Sequence, residues 1–348
     1  MKHIIKTLSL FTKSTLTLRS KSSHNPISTA GTLLRRTMAT STPPSTVLQK
    51  PIKFTLIQIA SGADKDANLS LAREKVLEAA KEGANLVVLP ECFNSPYGCD
   101  YFPSYAETLL PSPPSEEQSP SFHALSSMAA EAKVFLVGGS IPEAVGEKGG
   151  KDTKYYNTSL TFGPDGKLLT SHRKTHLFDI DIPGKITFRE SDVLSPGSKV
   201  TLLDLPGYGK IAIAICYDVR FPELAMIAAR RGCFALIYPG SFNTTTGPLH
   251  WKLQAQARAM DNQLYVAMCS PARDINASYH SYGHSLIVDP MAQVVVETDE
   301  TESSVSWTLE PEKIETTRRN IPIYTQRRFD VYPDVNAGKI SFEEPEDR

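Results

Sequence analysis

Short apolar runs that alternate with segments of helical periodicity are the feature that most restricts the fold of this chain. The apolar runs have the length of buried strands and occupy residues 54–59, 85–89, 134–137, 200–205, 210–215, 234–238 and 264–269. Helical spacing follows or precedes many of them, from Asn68 as the N-cap to Gly83 and at 120–132, 222–231 and 248–262. Hairpin patterns occur at 157–171 and 284–297. This mixture predicts a mixed sheet sandwich flanked by helices, in one domain of about 290 residues.

The first 50 residues differ from the rest of the chain. They contain eight Lys and Arg residues and no Asp or Glu, and the first acidic residue is Asp64. Abundant Ser and Thr, with apolar residues between the basic ones, are typical of a mitochondrial transit peptide, although a disordered basic tail has a similar composition. Met38 offers a second start. We therefore expect a mitochondrial protein with a transit peptide of 1–37 or 1–50, and a cytosolic form that starts at Met38.

The composition argues against several classes of partner. A formal net charge of -1 disfavours a nucleic-acid-binding role for the whole chain. No apolar run approaches the roughly 18 residues that a membrane span needs, so we expect no membrane partner. The five cysteines are scattered and form no Cys-x-x-Cys pair, which favours free thiols in a reducing compartment over a disulfide framework or a zinc site.

One of these cysteines stands at a place where enzymes hold nucleophiles. An apolar run at 211–215 ends at Cys216, and a short polar turn leads to Pro222 and a helical pattern. A strand end fixes the side chain, and a following helix N-terminus favours negative charge. The alternative is an inert core thiol, because free cysteine is among the most buried residue types.

Two other strand ends carry groups that a thiol nucleophile requires. Glu91 follows the run 85–89, where partial burial would raise the pKa of its carboxyl toward that of a useful base. Lys174 follows the second strand of a hairpin and could stabilise an oxyanion. The alternatives are a carboxylate that caps the next turn and an ordinary surface lysine.

Two histidines, His172 and His176, lie four residues apart, which is the spacing of two zinc ligands on a helix. No helical pattern surrounds them, however, and no third ligand is evident, so the sequence does not favour a metal site. A papain-like pair of one histidine with Cys216 stays open, because such partners need not be near in sequence.

Three segments together resemble the nitrilase, or carbon-nitrogen hydrolase, superfamily. They are Leu-Pro-Glu-Cys-Phe at 89–93, His-Arg-Lys-Thr-His-Leu-Phe at 172–178 and Cys-Tyr-Asp-Val-Arg-Phe-Pro-Glu-Leu at 216–224, in that family's order. Within the superfamily the chain is most similar to the omega-amidase branch, on the segments 94–97, 178–186, 188–191 and 242–251. The likeness runs from about residue 52 to 337. It divides the chain into an extension at 1–50, a carbon-nitrogen hydrolase domain at 51–337 and a tail at 338–348.

The resemblance implies a fold, a set of catalytic residues and an assembly. Glu91 is then the general base, Lys174 the oxyanion stabiliser and Cys216 the nucleophile, while Glu190 is a second carboxylate that orients Lys174 and the substrate amide. Members need no metal or organic cofactor. They share an αββα sandwich and usually form homodimers in which two sandwiches give a four-layer assembly. The segment 327–332 would reach across that dimer.

The resemblance also implies a substrate, a short dicarboxylate monoamide such as 2-oxoglutaramate or succinamate, hydrolysed to acid and ammonia through a Cys thioester. Arg220 could hold the substrate carboxylate, unless it forms a structural salt bridge to Glu223 or Asp218. The other residues expected to line the pocket are Tyr97, Phe242 and Thr246. Rival functions are an amidase of deaminated glutathione, a nitrilase or carbamoylase, and an inactive interaction protein.

Overall fold

The computed structural model describes residues 46–147 and 149–328. Most of the extension at 1–50, the end of the 327–332 segment and the tail at 338–348 lie outside the described residues. The fold starts before the expected boundary at residue 50, because Leu48 is fully buried and pairs with Gly209. Within the described residues, none of the helices combines the length and apolar character that a bilayer crossing needs.

Fifteen strands occur in the described residues. They are β1 (Ile52–Gln58), β2 (Leu86–Val88), β3 (Phe135–Val137), β4 (Ile141–Val145), β5 (Lys154–Phe162), β6 (Leu168–Arg173), β7 (Asp179–Ile182), β8 (Ile186–Arg189), β9 (Thr201–Leu205), β10 (Gly209–Ile213), β11 (Cys233–Pro239), β12 (Tyr265–Cys269), β13 (Leu286–Val288), β14 (Val294–Glu297) and β15 (Ser303–Leu309). They form a seven-stranded sheet of β15-β1-β2-β3-β5-β4 with β6 beside β5, a six-stranded sheet of β14-β13-β12-β11-β10-β9, and the separate hairpin β7-β8.

Seven α-helices accompany these strands in the described part of the chain. They are α1 (Lys65–Lys81), α2 (Phe102–Tyr105), α3 (Pro120–Ala132), α4 (Pro222–Arg230), α5 (Gly247–Asn262), α6 (Pro311–Asn320) and α7 (Ile323–Gln326). Their apolar faces follow the helical repeat: α1 buries Ala72, Val76 and Ala79, and α5 buries Trp251 and Ala255.

The two large sheets pack face to face, and helices cover their outer faces. One apolar core lies between the sheets and contains Phe54, Leu56, Ile211 and Ile237. A second core joins the seven-stranded sheet to α1 and α3, and a third joins the six-stranded sheet to α4 and α5. This arrangement confirms the predicted αββα sandwich. All four layers lie within one chain, whereas the sequence analysis assigned four layers to a dimer.

Several element boundaries differ from the predictions. The N-cap of α1 is Asp64, whose side chain accepts a hydrogen bond from the Ala67 N–H at 3.0 Å. Asn68, predicted as the cap, lies inside the helix, and its amide forms two hydrogen bonds with the backbone of Gly62. The segment 144–154, expected as an exposed connection, includes the end of β4, where Ala144 is buried. Helix α6 was missed because its sequence is mostly polar and buries only Ile314 and Thr317.

The carboxyl ends of parallel strands from both sheets point to a common edge. Strands β1, β2 and β3 run parallel in one sheet, and β10, β11 and β12 run parallel in the other. In open α/β sheets, ligands bind outside the carboxyl ends of the strands. Glu91 follows β2 and Cys216 follows β10, so the fold brings both residues to this edge.

Candidate active site

Four side chains that the sequence analysis singled out lie together in the interior. The exposed fractions of Glu91, Lys174, Glu190 and Cys216 are 1%, 1%, 0% and 2%. Each of them follows a different strand: β2, β6, β8 and β10. The cluster therefore depends on contacts between both large sheets and the small hairpin.

Cys216 occupies a strained turn. It begins a 3-10 helix at Cys216–Arg220, directly after β10 and Ile215, and its φ angle is +46°. Residues other than glycine adopt this left-handed region at a cost of about 1–3 kcal/mol and keep it only when their surroundings enforce it. Gly240 packs against this turn, since a Cβ atom there would lie 2.9 Å from the Cys216 Cα. The thiol is directed at the Ser241 carbonyl, with an Sγ–O distance of 3.7 Å.

Lys174 lies between two carboxylates. Its Nζ donates to Glu190 Oε1 at 2.8 Å and to Glu91 Oε1 at 3.1 Å. Its backbone is fixed on both sides, because its N–H donates to the Asn157 carbonyl and its carbonyl accepts from the Gly197 N–H, both at 2.8 Å. The lysine therefore holds a positive charge in one place, in an interior that could not otherwise contain two ionised carboxylates.

Glu91 receives hydrogen bonds from three sides. Besides Lys174, the Asn157 side-chain amide donates to Oε1 at 2.8 Å and the Ser241 N–H donates to Oε2 at 2.7 Å. The carboxylate is also close enough to the Cys216 thiol for a side-chain hydrogen bond. These contacts hold a potential base beside a potential nucleophile.

Glu190 forms the far side of the cluster. Its Oε1 accepts from Lys174 and from the Tyr97 hydroxyl at 2.9 Å, and its Oε2 accepts from the Phe178 N–H at 2.7 Å. The Tyr97 ring lies between Phe188 and Tyr279, with centroid distances of 5.8 and 4.6 Å. Tyr97 and the β7-β8 hairpin thus hold the Glu190 carboxylate in place, and this carboxylate in turn holds Lys174.

Burial and mutual charge set the proton affinities of the cluster. Burial raises the pKa of Glu91, and Glu190 adds to this effect while Lys174 opposes it. Burial and the nearby Glu91 carboxylate raise the pKa of the Cys216 thiol well above its ordinary value. Burial alone would lower the pKa of Lys174, but Glu190 and Glu91 outweigh it and raise that pKa well above its ordinary value. The resting state therefore contains a protonated lysine and a neutral thiol.

Comparison with known proteins assigns the chain to a family. The family model of the carbon-nitrogen hydrolases matches residues 53–319, which is more than half of the chain. This chain belongs to the carbon-nitrogen hydrolase family. It is therefore a hydrolase that acts on carbon–nitrogen bonds, as the sequence analysis predicted.

Individual relatives of this carbon-nitrogen hydrolase share about half of its sequence. It is 58% identical over 286 residues to a hydrolase of Schizosaccharomyces pombe, which covers 82% of this chain and 85% of that protein. It is 53% identical over 296 residues to the omega-amidase Nit3 of Saccharomyces cerevisiae, covering 84% and 99% of the two chains. The crystal structure of that Nit3, a member of branch 10 of the nitrilase superfamily, superimposes with a TM-score of 0.74 over 82% of this chain and 99% of that chain, at 50% identity. The predicted superfamily and fold class are thereby confirmed.

A small cavity of this carbon-nitrogen hydrolase reaches the cluster. Its volume is about 160 Å³, and Glu91, Tyr97 and Tyr279 are among the residues that line it. Of the four residues predicted to bind substrate, only Tyr97 lines this cavity. Arg220, Phe242 and Thr246 lie near the start of α5: Thr246 caps this helix, Phe242 packs against its Trp251, and Arg220 bonds to its His250.

Arg220 lacks an acidic partner within the described residues. Its guanidinium carbon lies 4.8 Å from the Phe242 ring centroid and 5.2 Å from that of Tyr217, and its Nη1 donates to His250 Nδ1 at 3.2 Å. Its buried Nε has no hydrogen-bond partner in the described part of the protein. The alternative of a salt bridge to Glu223 or Asp218 is wrong, because Arg220 forms no ion pair with either residue in the described structure, and Asp218 accepts hydrogen bonds from His172 and His176. Burial lowers the pKa of Arg220.

Thr246 and Phe242 have structural contacts. Thr246 is the N-cap residue of α5, and its N–H and hydroxyl both donate to Asn243 Oδ1. The Phe242 ring packs against Trp251 with a centroid distance of 5.1 Å, in addition to its contact with Arg220. Of these two residues, Phe242 is therefore the one with a described contact to Arg220.

The histidines do not contact the thiol. His172 and His176 both hydrogen-bond to Asp218, and His250 bonds to Arg220. The described residues contain no group of three His, Cys, Asp or Glu side chains that could hold a metal ion. The geometry thus gives a papain-like cysteine–histidine pair no support.

Several residues that position the cluster were not predicted from the sequence. Asn157 and Ser241 bond Glu91, and the Tyr279 hydroxyl donates to the Ser241 carbonyl at 2.7 Å. Asn157 and Ser241 lie in or just beyond a strand, a position that many polar residues share, and Tyr279 lies in the loop between β12 and β13, where the sequence gives no such signal.

Proposed function

We propose that this carbon-nitrogen hydrolase is a thiol-dependent omega-amidase, which hydrolyses the primary amide of short dicarboxylate monoamides. The observation that carries the proposal is the contact of Lys174 with both Glu91 and Glu190 beside the Cys216 thiol. The omega-amidase name of the Saccharomyces cerevisiae relative supports the substrate class. Glu91 supplies the base, Lys174 the positive charge and Cys216 the nucleophile that amide hydrolysis requires.

The first half of the reaction forms a thioester. Glu91 takes the proton of the Cys216 thiol while the sulfur attacks the amide carbon, and the carbonyl oxygen becomes an oxyanion. Lys174 and the N–H of Tyr217 stabilise this oxyanion, since the N–H groups in the first turn of a helix have no partner within the helix. Glu91 then gives its proton to the leaving nitrogen, the carbon–nitrogen bond breaks, and ammonia departs.

The second half releases the acid. Glu91 takes a proton from a water molecule, whose oxygen attacks the thioester carbon. The carbon–sulfur bond breaks, and the proton returns from Glu91 to the sulfur. Burial and the nearby Glu91 carboxylate raise the pKa of the Cys216 thiol, so a free thiolate is disfavoured and proton transfer to Glu91 accompanies the attack of the sulfur.

Arg220 provides the reason for a substrate with a carboxylate. A half-buried guanidinium without an acidic partner in the described residues is suited to a carboxylate, which it can bind through two parallel hydrogen bonds. Tyr97, Phe242 and Thr246 are proposed to line the pocket around the short carbon chain. Succinamate and 2-oxoglutaramate each place one carboxylate opposite one amide.

The primary experiment measures ammonia release from 2-oxoglutaramate, succinamate, deaminated glutathione and a simple nitrile. We expect the first two to react best and Cys216→Ala to abolish the activity. Faster hydrolysis of deaminated glutathione would replace the proposed substrate class. Full amide hydrolysis by Cys216→Ala would overturn the mechanism.

A second experiment isolates the carboxylate contact. Arg220→Lys keeps the charge but loses the paired hydrogen bonds, so the KM for succinamate should rise about tenfold or more. The KM for an uncharged amide of the same length should change little. An equal rise in KM for both amides would show that Arg220 does not select the substrate carboxylate.

We also propose that the chain forms a homodimer through α5. Leu249, Leu253 and Met260 are 66%, 62% and 56% exposed and lie on one face of this helix. Leu253→Glu should shift the sedimentation velocity to that of a monomer, and an unchanged value would exclude this face.

Mitochondrial targeting by residues 1–37 or 1–50 is a further proposal, supported by their basic, acid-free composition. A fluorescent protein fused after residues 1–50 should reach mitochondria, whereas the same fusion to a chain that starts at Met38 should stay in the cytosol. The core position of Leu48 favours cleavage before that residue.

A further inference from the structure

A buried aspartate connects the turn that carries Cys216 to the loop that carries Lys174. Asp218 lies two residues after Cys216, and its two histidine partners, His172 and His176, lie two residues on either side of Lys174. We infer that Asp218 is a positioning residue, which sets the placement of the Cys216 sulfur relative to the Lys174 ammonium. The inference rests on the functions proposed above for Cys216 and Lys174.

Four donors occupy the two oxygens of the Asp218 carboxylate. Oδ1 accepts from the backbone N–H of His176 at 2.9 Å and from its ring Nδ1 at 2.7 Å. Oδ2 accepts from the backbone N–H of Ile215 at 2.9 Å and from His172 Nε2 at 3.2 Å. The carboxylate is fully buried, and each oxygen already has two donors. Asp218 therefore has no capacity left for chemistry, and its contacts only fix the positions of its neighbours.

The contacts act at the two places where displacement would matter most. The bond from Ile215 closes the turn around Cys216, whose φ of +46° requires outside support. The bonds from the histidines fix both sides of Lys174. A third contact joins the same two segments, because the ring of Phe221 stacks on that of His176 with centroids 3.6 Å apart. The turn and the loop thus behave as one unit.

Asp218 remains ionised in this interior. Burial alone would raise the pKa of its carboxyl, but the hydrogen bonds from His172 and His176 outweigh that effect and hold the pKa below its usual range. An asparagine has almost the same shape but only one acceptor oxygen, and its amide group would face donors. Asp218→Asn therefore removes two of the four bonds without creating a cavity.

The test compares Asp218→Asn with a matched variant, Asp289→Asn. Asp289 is also a buried aspartate whose carboxylate accepts backbone N–H groups, from Met291 and Gln293, but it lies in the turn between β13 and β14. The measurements are kcat and KM for succinamate, the melting temperature, and the rate at which iodoacetamide alkylates Cys216, followed by mass spectrometry.

We expect kcat of Asp218→Asn to fall about 100-fold, since a misplacement of about 1 Å has that effect. The KM should change less than about threefold, because the substrate contacts remain. The alkylation rate of Cys216 should fall together with kcat. Asp289→Asn should lose thermal stability and keep its kcat and alkylation rate. A folded Asp218→Asn protein with the kcat of the control would overturn the inference, as would an equal loss of kcat in both variants.

Milder variants decide the question if Asp218→Asn does not fold. His176→Ala keeps the backbone N–H bond to Asp218 but loses the ring bond, and His172→Gln loses one ring bond. Each should lower kcat about tenfold with little change in KM, and normal kcat in both would overturn the inference. Cys216→Ala in the same assay separates a failure of the proposed amidase function from a failure of the positioning function proposed for Asp218. An active Cys216→Ala removes the proposed function, whereas an inactive one beside a normal Asp218 variant removes only the positioning function.

Discussion

Two buried glutamates, Glu91 and Glu107, resemble each other in burial and charge partner but differ in the functions proposed for them, which are chemical for Glu91 and structural for Glu107. Their exposed fractions are 1% and 2%, and each contacts a lysine, Lys174 or Lys65. Burial and an ion pair therefore do not distinguish them. The difference lies in what else surrounds each carboxylate.

Glu107 is saturated by donors at the start of a helix. Its oxygens accept from the hydroxyls of Ser119 and Ser121 at 2.6 Å each and from the Ser121 N–H at 3.0 Å, next to the first turn of α3. Lys65 adds a charge at 2.8 Å. A helix N-terminus attracts negative charge, which adds to the attraction between these donors and the carboxylate. It has the capping function that was the alternative for Glu91.

Glu91 shares its lysine with a second carboxylate. Glu190 competes for Lys174 at 2.8 Å, and the Cys216 thiol lies close by. Burial and the like charge raise the pKa of Glu91, so the carboxylate can accept a proton and return it. A shared counterion and a neighbouring thiol therefore distinguish the candidate catalytic carboxylate of Glu91 from Glu107, which lacks both among the described residues.

The largest expected effect comes from the neutral glutamine variants. Glu91→Gln should lower kcat about 100-fold to 10,000-fold, because the general base is lost. Its thermal stability should fall less than that of Glu107→Gln, because the loss of one acceptor oxygen is offset by the removal of one of two like charges. Glu107→Gln should instead lower the free energy of unfolding by about 1–3 kcal/mol, since it leaves donors unsatisfied.

Steady-state kinetics of the purified, folded variants measures the change in kcat, and chemical denaturation measures the change in the free energy of unfolding. A normal kcat for Glu91→Gln, or a kcat loss in folded Glu107→Gln as large as that of Glu91→Gln, would erase the distinction between the two glutamates.

The next largest effect is expected from replacing the lysine partner of each glutamate, Lys174 or Lys65. Lys174→Met leaves Glu91 and Glu190 facing each other without a counterion, so activity should be lost and stability should fall by about 3–5 kcal/mol. Lys65 retains 23% of its side-chain exposure, and water can replace it at Glu107. Lys65→Met should therefore lower stability by no more than about 1 kcal/mol and leave kcat unchanged. Denaturant titration of both variants measures the free energy of unfolding. Equal losses of stability in Lys174→Met and Lys65→Met would contradict the prediction.

The smallest expected effect concerns pH. Because the folded pKa of Glu91 lies above its ordinary value of 4.5, protonation of this carboxyl stabilises the fold. That contribution is fully present below 4.5 and is lost as pH rises through the raised pKa. Activity has the opposite dependence, because the base must be ionised. The acidic limb of the kcat/KM profile should therefore lie above pH 4.5.

Two variants sharpen the pH measurement. Glu190→Gln removes the like charge and should move the acidic limb to lower pH, whereas Glu107→Gln should leave it in place. An acidic limb that does not respond to Glu190→Gln would assign the titration to another group.

Most of the secondary structure followed from local pattern. Helix α3 occupies the predicted residues 120–132, and the strands around Cys216 and Ser241 occur within about two residues of their predicted positions. The exceptions have local causes. Asn68 has the preferred side chain for an N-cap, but Asp64 lies one turn earlier and its carboxylate caps the helix.

The catalytic candidates were found because each stands at a strand end within a recognisable motif. Their mutual contacts could not be predicted from spacing, since Glu91 and Lys174 are 83 residues apart in sequence. The partners of Arg220 and Asp218 could not be predicted from the sequence either. Whether a guanidinium meets a carboxylate or aromatic rings depends on which elements pack around it.

The sequence alone determined which groups are candidates for the chemistry and which strands end beside them, because hydrophobic periodicity and motif order are properties of the chain. Tertiary structure alone decided that Lys174 is shared by Glu91 and Glu190, that the histidines bind Asp218, and that Arg220 lacks an acid among the described residues. The physical reason is that hydrogen bonds and proton affinities depend on distances between segments from different sheets, which only packing fixes.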